Sequence, residues 1–147
     1  MIQFFVPGEP KAQPRPKAAR IGGFIRIYTP NTAKQWKGAV AKAAAPFLHG
    51  GMMMRGPLSV CLFFAFPRPK SHFKKDGSLT SSAPLYHTKK PDADNIAKAV
   101  LDALTDAGLW EDDSQIVSLI TVKGYAPDNQ TAGCVVTIDN AKEEAPQ

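Results

Sequence analysis

Asp92, Asp94, Lys98, Asp112 and Asp113 fall within one stretch, KKPDADNIAKAVLDALTDAGLWEDD (89–113), which carries seven carboxylates in a chain whose net charge is +5. Pro91 biases Lys90 towards extended geometry and cannot itself join a helix interior, so Asp92-Ala93-Asp94 enters the following helix from a strand-like approach. In extended backbone, residues two apart point the same way, and Asp92 and Asp94 can converge on one point. Asp112 and Asp113 follow a helix of about fourteen residues, about 21 Å long, so only the tertiary fold can bring Asp113 back to the first pair. Grouped carboxylates raise one another's pKa unless a cation neutralises them. A hard divalent ion does this best: Mg²⁺, with Mn²⁺ as a substitute, takes carboxylate and water oxygens and keeps room for a phosphate. Lys98 lies four residues after Asp94 on the same helical face, with Asp102 one turn further, and its ammonium suits the charge of a phosphorane-like transition state. The chemistry this set could perform is metal-dependent phosphodiester cleavage. Taken singly, each residue also has a structural role open to it. Asp92 or Asp94 can cap the helix, Lys98 can form an ion-pair ladder with Asp94 and Asp102, and the Asp112-Asp113 pair can mark a polar turn.

The acids stand against an opposite background. From Met1 to Pro91 there are fifteen Lys or Arg and two acids, Glu9 and Asp76; from Asp92 to Gln147 there are three Lys and eleven acids. A cationic excess of this kind is the footprint of a nucleic-acid partner, because each neutralised phosphate releases counterions. At 147 residues the chain is expected to form one domain over 1–140, with 141–147 as a flexible tail. No run of eighteen apolar residues occurs and the opening MIQFFVPGEP has only a short one, so neither a membrane span nor secretion is expected, and the expected location is cytoplasmic. Cys61 and Cys134 lie far apart in apolar runs with no CxxC and no zinc spacing, and read as buried free thiols.

Strands and helices must position this set. IQFFV reads as a short strand closed by Pro7, and PGEPKAQPRPKAARIGGF as an extended, exposed cationic arm, too rich in Pro for a helix. FIRIYT reads as a strand, followed by a helix capped by Asn31 or Thr32 and ended by Pro46. LSVCLFFAF (58–66) has the continuous apolar character of a central strand buried on both faces. A long cationic loop, 67–90, partly disordered by its composition, leads onto the acidic helix, whose inner stripe is Ile96, Val100, Leu101 and Leu104 and whose stop is Gly108. SQIVSLITVKGYA and GCVVTIDN read as closing strands joined by a turn. The expected class is α+β, with helices packed on a mixed, partly antiparallel sheet. His49, His72 and His87 stand alone in loop contexts, Trp36 and Trp110 read as packing residues, Phe73 as a loop anchor or a group that stacks on an unpaired base, and Met52–Met54 as filler of an apolar gap or interface.

The segment KPDADNIAKAVLDAL with GLWEDDSQIV resembles the signature of the RusA-type Holliday junction resolvases, joining D-x-D-N-x-x-K, D-A-L and D-D-x-Q-[IV] at matching separations. GEPKAQPRP, the YTP that precedes the first helix and the closing strands fit as well, so the resemblance covers nearly all of residues 2 to 139. It implies that Asp92, Asp94 and Asp113 bind the metal, that Lys98 is the catalytic lysine, and that Asp112 is an additional acid. It further implies a homodimer that uses Mg²⁺ to nick two opposed strands of a four-way DNA junction, a two-fold enzyme on a two-fold substrate. Lys11, Arg15, Lys17, Arg20, Lys70, Lys74, Lys75, Lys89 and Lys90 are then expected to hold the DNA backbone without reading sequence. Two other functions fit parts of the pattern. One is a catalytically inactive branched-DNA-binding module of a phage replication or recombination system. The other is a metal-dependent phosphohydrolase of small nucleotides, which would leave the basic amino-terminal portion without a purpose.

Overall fold

The computed structural model describes residues 1–48, 53–127 and 131–143; His49, Met52 and the tail residues 144–147 lie outside them. Among the described residues the strands and α-helices follow in the order β1 (Ile2–Pro7), β2 (Lys17–Ile21), β3 (Phe24–Tyr28), α1 (Lys34–Ala44), β4 (Leu58–Phe66), α2 (Ala93–Ala107), β5 (Ile116–Tyr125) and β6 (Gly133–Asn140). Four strands form a sheet in the order β1-β6-β4-β5, while β2 and β3 form a separate hairpin. β4 pairs parallel with β5 and antiparallel with β6, and β6 pairs antiparallel with β1. The class is therefore α+β with a mixed sheet, as the order of apolar runs suggests. β5 and β6 follow one another in sequence but are not neighbours, because β4 lies between them.

The two helices cover one face of this sheet. Leu58, Val60, Leu62, Phe64 and Phe66 of β4 are buried with Cys134, Val136 and Ile138 of β6, against Trp36, Val40 and Ala44 of α1 and Ile96, Val100 and Leu104 of α2. Each such large side chain, fully removed from water, contributes about 1.5–3 kcal/mol. The other face is a correction to the sequence expectation for β4. It carries the paired rows Phe5, Val135, Phe63, Val122 and Gln3, Thr137, Cys61, Ile120, and Phe5, Phe63 and Ile120 remain exposed. β4 is thus central but fully buried on its helix side only, and Cys61 is half-buried where Cys134 is buried. Burial, with Cys61 close by, pushes the Cys134 thiol up to about 12, so it stays protonated.

Two further expectations are revised. Lys17–Ile21 is a strand and not part of an extended arm: it pairs with Phe24–Tyr28 around Gly22 and Gly23, whose φ values of 55° and 85° form the two-residue turn that matches strand twist. α1 has Ala33 at its N-cap position with no side-chain cap, and the chain enters it through a turn in which the Lys34 amide donates to the Asn31 carbonyl. α2 behaves as its periodicity predicts, with Leu101 half-buried at the edge of its apolar stripe. It ends at Gly108, whose φ of 87° lets the Leu109 amide reach back to the Leu104 carbonyl at 3.1 Å. No helix among the described residues is long and apolar enough to cross a membrane.

Candidate metal and nucleic-acid site

The path from β4 through α2 to β5 is a parallel crossover, so β5 runs back along α2 and its leading turn lies against the helix flank. That turn is fixed from three sides. Trp110 is fully buried, and its indole Nε1 donates to Thr105 Oγ1 at 2.7 Å. The Met54 amide donates to the Leu109 carbonyl at 2.8 Å. Gln115 does the rest: its Oε1 accepts from the Glu111 and Asp112 amides at 2.9 and 3.1 Å, and its Nε2 donates to the Met54 and Gly56 carbonyls, both at 3.1 Å.

Within the aspartate pair the roles divide. Asp112 Oδ1 accepts from the Ser114 amide at 2.9 Å and, with Gln115, closes a capping box over a single 3₁₀ turn, Asp113–Gln115. This hydrogen bond from the Ser114 amide, followed by contact with the Asp113 side chain, holds the Asp112 carboxyl below its ordinary range. Asp113 caps nothing. Contact with the Asp112 carboxyl, then desolvation, then the negative charges of Asp112 and Asp102 push its pKa up, with Lys98 opposing. Asp113 therefore stands within electrostatic reach of the Lys98-Asp102 face of α2. Gln115 was not singled out from the sequence, although its D-x-x-Q spacing from Asp112 is a capping-box signal.

At the other end of α2, Asp92 occupies the N-cap position with extended backbone, yet its side chain makes no capping bond. The exposed carboxylates of Asp92 and Asp94 are left for another partner. Lys98 is exposed and its Nζ contacts Asp102 Oδ1 at 3.3 Å, which is one rung of the expected ladder; Asp94 takes no part in it. Among the described residues, no group of three or more His, Cys, Asp or Glu side chains stands close enough together to hold a metal ion. The donor chemistry of Asp92, Asp94 and Asp113 nonetheless suits a hard divalent cation. All three offer carboxylate oxygens, Asp92 has no competing cap, and the excess negative charge around Asp113 favours a cation nearby.

A basic residue from the amino-terminal segment, Arg15, lines a cleft together with Asp92. Arg15 Nη2 donates to Asn95 Oδ1 at 3.2 Å, the Gln13 amide donates to the Asn95 carbonyl at 3.1 Å, and Lys37 Nζ donates to Gln13 Oε1 at 2.9 Å. The Arg15-Asn95 pair forms a ridge between two open clefts. One, of about 530 Å³, is lined by Lys90, Pro91 and Asp92; the other, of about 390 Å³, by Lys98, Pro16 and Thr29. Asn95 was another residue the sequence reading passed over as a site residue.

The loop 67–90 is held in place, contrary to its disordered composition. Arg68 is buried, and its guanidinium donates to the Ala126 carbonyl at 3.2 Å and the Pro84 carbonyl at 2.8 Å, contacts His72 Nδ1 at 3.3 Å, and lies 5.1 Å from the Tyr125 ring centroid. His87 stacks on Phe66 with ring centroids 3.9 Å apart, and its amide donates to the Lys123 carbonyl. Phe73 bridges Leu79 inside the loop. Lys123 Nζ donates to the Lys89 carbonyl at 2.7 Å, which fixes the approach to Pro91. His72 and His87 are thus packing residues of this anchor. Lys70, Lys74, Lys75, Lys89 and Lys90 lie on the exposed side of the loop, while Lys11 is exposed on the amino-terminal segment and pairs with Glu9 at 3.8 Å.

Comparison with known proteins places these features in a family. Residues 7–139 match the family model described as endodeoxyribonuclease RusA. The chain is 36% identical over 129 residues, 86% of its length, to the uncharacterised protein YqaN of Bacillus subtilis, of which the match covers 89%. It is also 51% identical over 35 residues to the crossover junction endodeoxyribonuclease RusA of Escherichia coli K12, a match that spans 24% of this chain and 29% of that protein. With its match over both helices and strands β4, β5 and β6, the chain belongs to the RusA endodeoxyribonuclease family.

Proposed function

We propose that the protein is a structure-selective endodeoxyribonuclease that resolves four-way DNA junctions by paired, Mg²⁺-dependent nicking as a homodimer in the cytoplasm. The observation that carries this reading is the start of α2. There, exposed Asp92 and Asp94, free of capping duty, lie beside the Arg15-Asn95 ridge, with Lys98 one turn further on. Asp92, Asp94 and Asp113 would hold Mg²⁺, which supplies positive charge to the phosphate under attack and lowers the cost of generating the nucleophile. Lys98, now turned to Asp102, carries an ammonium that can swing to the developing charge on the non-bridging oxygens. Arg15, fixed by Asn95, orients the phosphate from the opposite side. Lys17, Arg20, Lys70, Lys74, Lys75, Lys89, Lys90 and Lys11 hold the junction through backbone phosphates, and Asp112 serves the turn that carries Asp113.

The test is cleavage of a synthetic four-way junction and a matched linear duplex, with and without Mg²⁺. Symmetric nicks confined to the junction are expected. Asp94→Asn should reduce cleavage by more than about 100-fold while leaving junction binding intact or tighter; unchanged nicking would remove Asp94 from the site. A second reading, junction binding without cleavage, is favoured by one observation: no three carboxylates are gathered among the described residues. Binding that never proceeds to nicking in Mg²⁺ or Mn²⁺ would establish it.

A further inference from the structure

The hairpin β2-β3 is the least explained part of the surface. Of its ten strand residues only Ala19 is not exposed, and Phe24, Ile25 and Ile27 are 79%, 71% and 73% exposed. Apolar side chains clustered in this way mark a surface that meets a partner. Register sorts them by face. Lys17 with Tyr28, Ala19 with Arg26 and Ile21 with Phe24 share one side, and Ala18 with Ile27 and Arg20 with Ile25 share the other. Each side therefore interleaves cations with apolar groups and has no acid, while the Gly22-Gly23 tip is crowned by Ile21 and Phe24.

Its base fixes where this surface acts. Pro16 and Thr29, the residues flanking the hairpin, line the same cleft as Asn95 and Lys98. Five-residue strands then carry the tip about 17 Å outward from the candidate site. We infer that the hairpin is a branch-point probe, in which Phe24 stacks on a base exposed at the point of strand exchange while Lys17, Arg20 and Arg26 bind the converging phosphates. This assignment rests on the junction-nuclease reading and names how that substrate is chosen.

Charge decides against the competing partner. A second copy docked hairpin to hairpin would set three cations against three cations with no carboxylate between them, a like-charge contact that weighs against association. A junction supplies both complements, since its crossover concentrates phosphates and leaves π faces with a missing neighbour. An aromatic side chain gains most from such a face, and an apolar wedge beside it opens the step further.

The experiment uses the full chain, in EDTA, with a four-way junction carrying 2-aminopurine at the branch point and a linear duplex of the same sequence. The wild-type protein is expected to change the 2-aminopurine fluorescence on binding. Phe24→Ala should abolish that response and lower the preference for junction over duplex about tenfold, with no change in thermal midpoint because the ring contributes nothing to the core. Arg20→Gln with Arg26→Gln should weaken binding to both DNAs and reduce the salt slope by about two. If Phe24→Ala keeps both the fluorescence response and the preference, or instead dissociates a dimer in sedimentation, the assignment is overturned. Junction cleavage measured in parallel in Mg²⁺ separates the two ideas. Nicking together with an unaffected Phe24→Ala preference sinks the hairpin alone, whereas a Phe24-dependent response without nicking supports the hairpin and sinks the nuclease.

Discussion

The hairpin and the loop 67–90 are both cationic extensions flanking the start of α2, but one is held by the body of the protein and the other is held only at its base. Arg68 binds the loop to β5 and to the Ala126 carbonyl, and His72, His87 and Tyr125 close around it. The hairpin has the Arg15-Asn95 and Gln13-Asn95 bonds below it and exposed residues above. In the loop, apolar and aromatic groups serve stability and the lysines are left to the surface. In the hairpin the apolar groups are themselves on the surface. A fixed rail of charge and a projecting probe are complementary ways to engage a branched polyanion, because phosphate spacing is regular along an arm and irregular at the centre.

Breaking the anchor should have the largest effect on this contrast. Arg68→Ala leaves the Ala126 and Pro84 carbonyls without their donor and is expected to cost about 2–3 kcal/mol, read as a fall in the denaturation midpoint. Asn95→Ala should cost less, about 1 kcal/mol, but should weaken junction binding several-fold by releasing Arg15; adding Arg15→Ala to it should then cause little further loss. A double-mutant cycle that proves additive would break the proposed coupling.

Acid should loosen the loop before the hairpin. Burial, then Lys123 and Lys89, lower the His87 pKa; desolvation, then Arg68 and Lys89, lower that of His72. The unfolded chain therefore takes up protons first, and stability present above the ordinary histidine value of 6.5 is lost as pH falls below it towards the folded-state values. Thermal midpoints across this range should decline, and the decline should shrink in His87→Gln. Smallest of all, Phe24→Ala should alter stability by no more than about 0.5 kcal/mol.

Sequence made α2 legible because its apolar residues recur at helical spacing and Gly108 stops it; β4 was legible from its unbroken apolar run. Phe24–Tyr28 was legible as a strand, but its partner Lys17–Ile21 was obscured because it stands in a proline-rich cationic stretch whose breakers outweighed the pairing signal. The partly exposed side of β4 could not be read from an apolar run that would suit burial on either face. For the site, residue types and spacing marked Asp92, Asp94, Lys98 and the Asp112-Asp113 pair as candidates, the resemblance singled out Asp113 within that pair, and the structure adds that Lys98 contacts Asp102 and that Asp112 closes the turn before β5. Arg68 counts from the sequence only as one of the loop's cations, and its anchoring role escaped notice for a physical reason: two of its partners are backbone carbonyls, which leave no mark on residue identity.

Gln115 has an evolutionary consequence. Its carboxamide spends both ends at once, the oxygen on two amides and the nitrogen on two carbonyls, so the site discriminates between an NH₂ donor and an oxygen acceptor of nearly the same size. Glutamate, one base change away and nearly the same shape, would turn a carboxylate oxygen towards the Met54 and Gly56 carbonyls. Slow chemical ageing by deamidation would make the same exchange without any mutation, and would loosen the seat of Asp113 in old protein first.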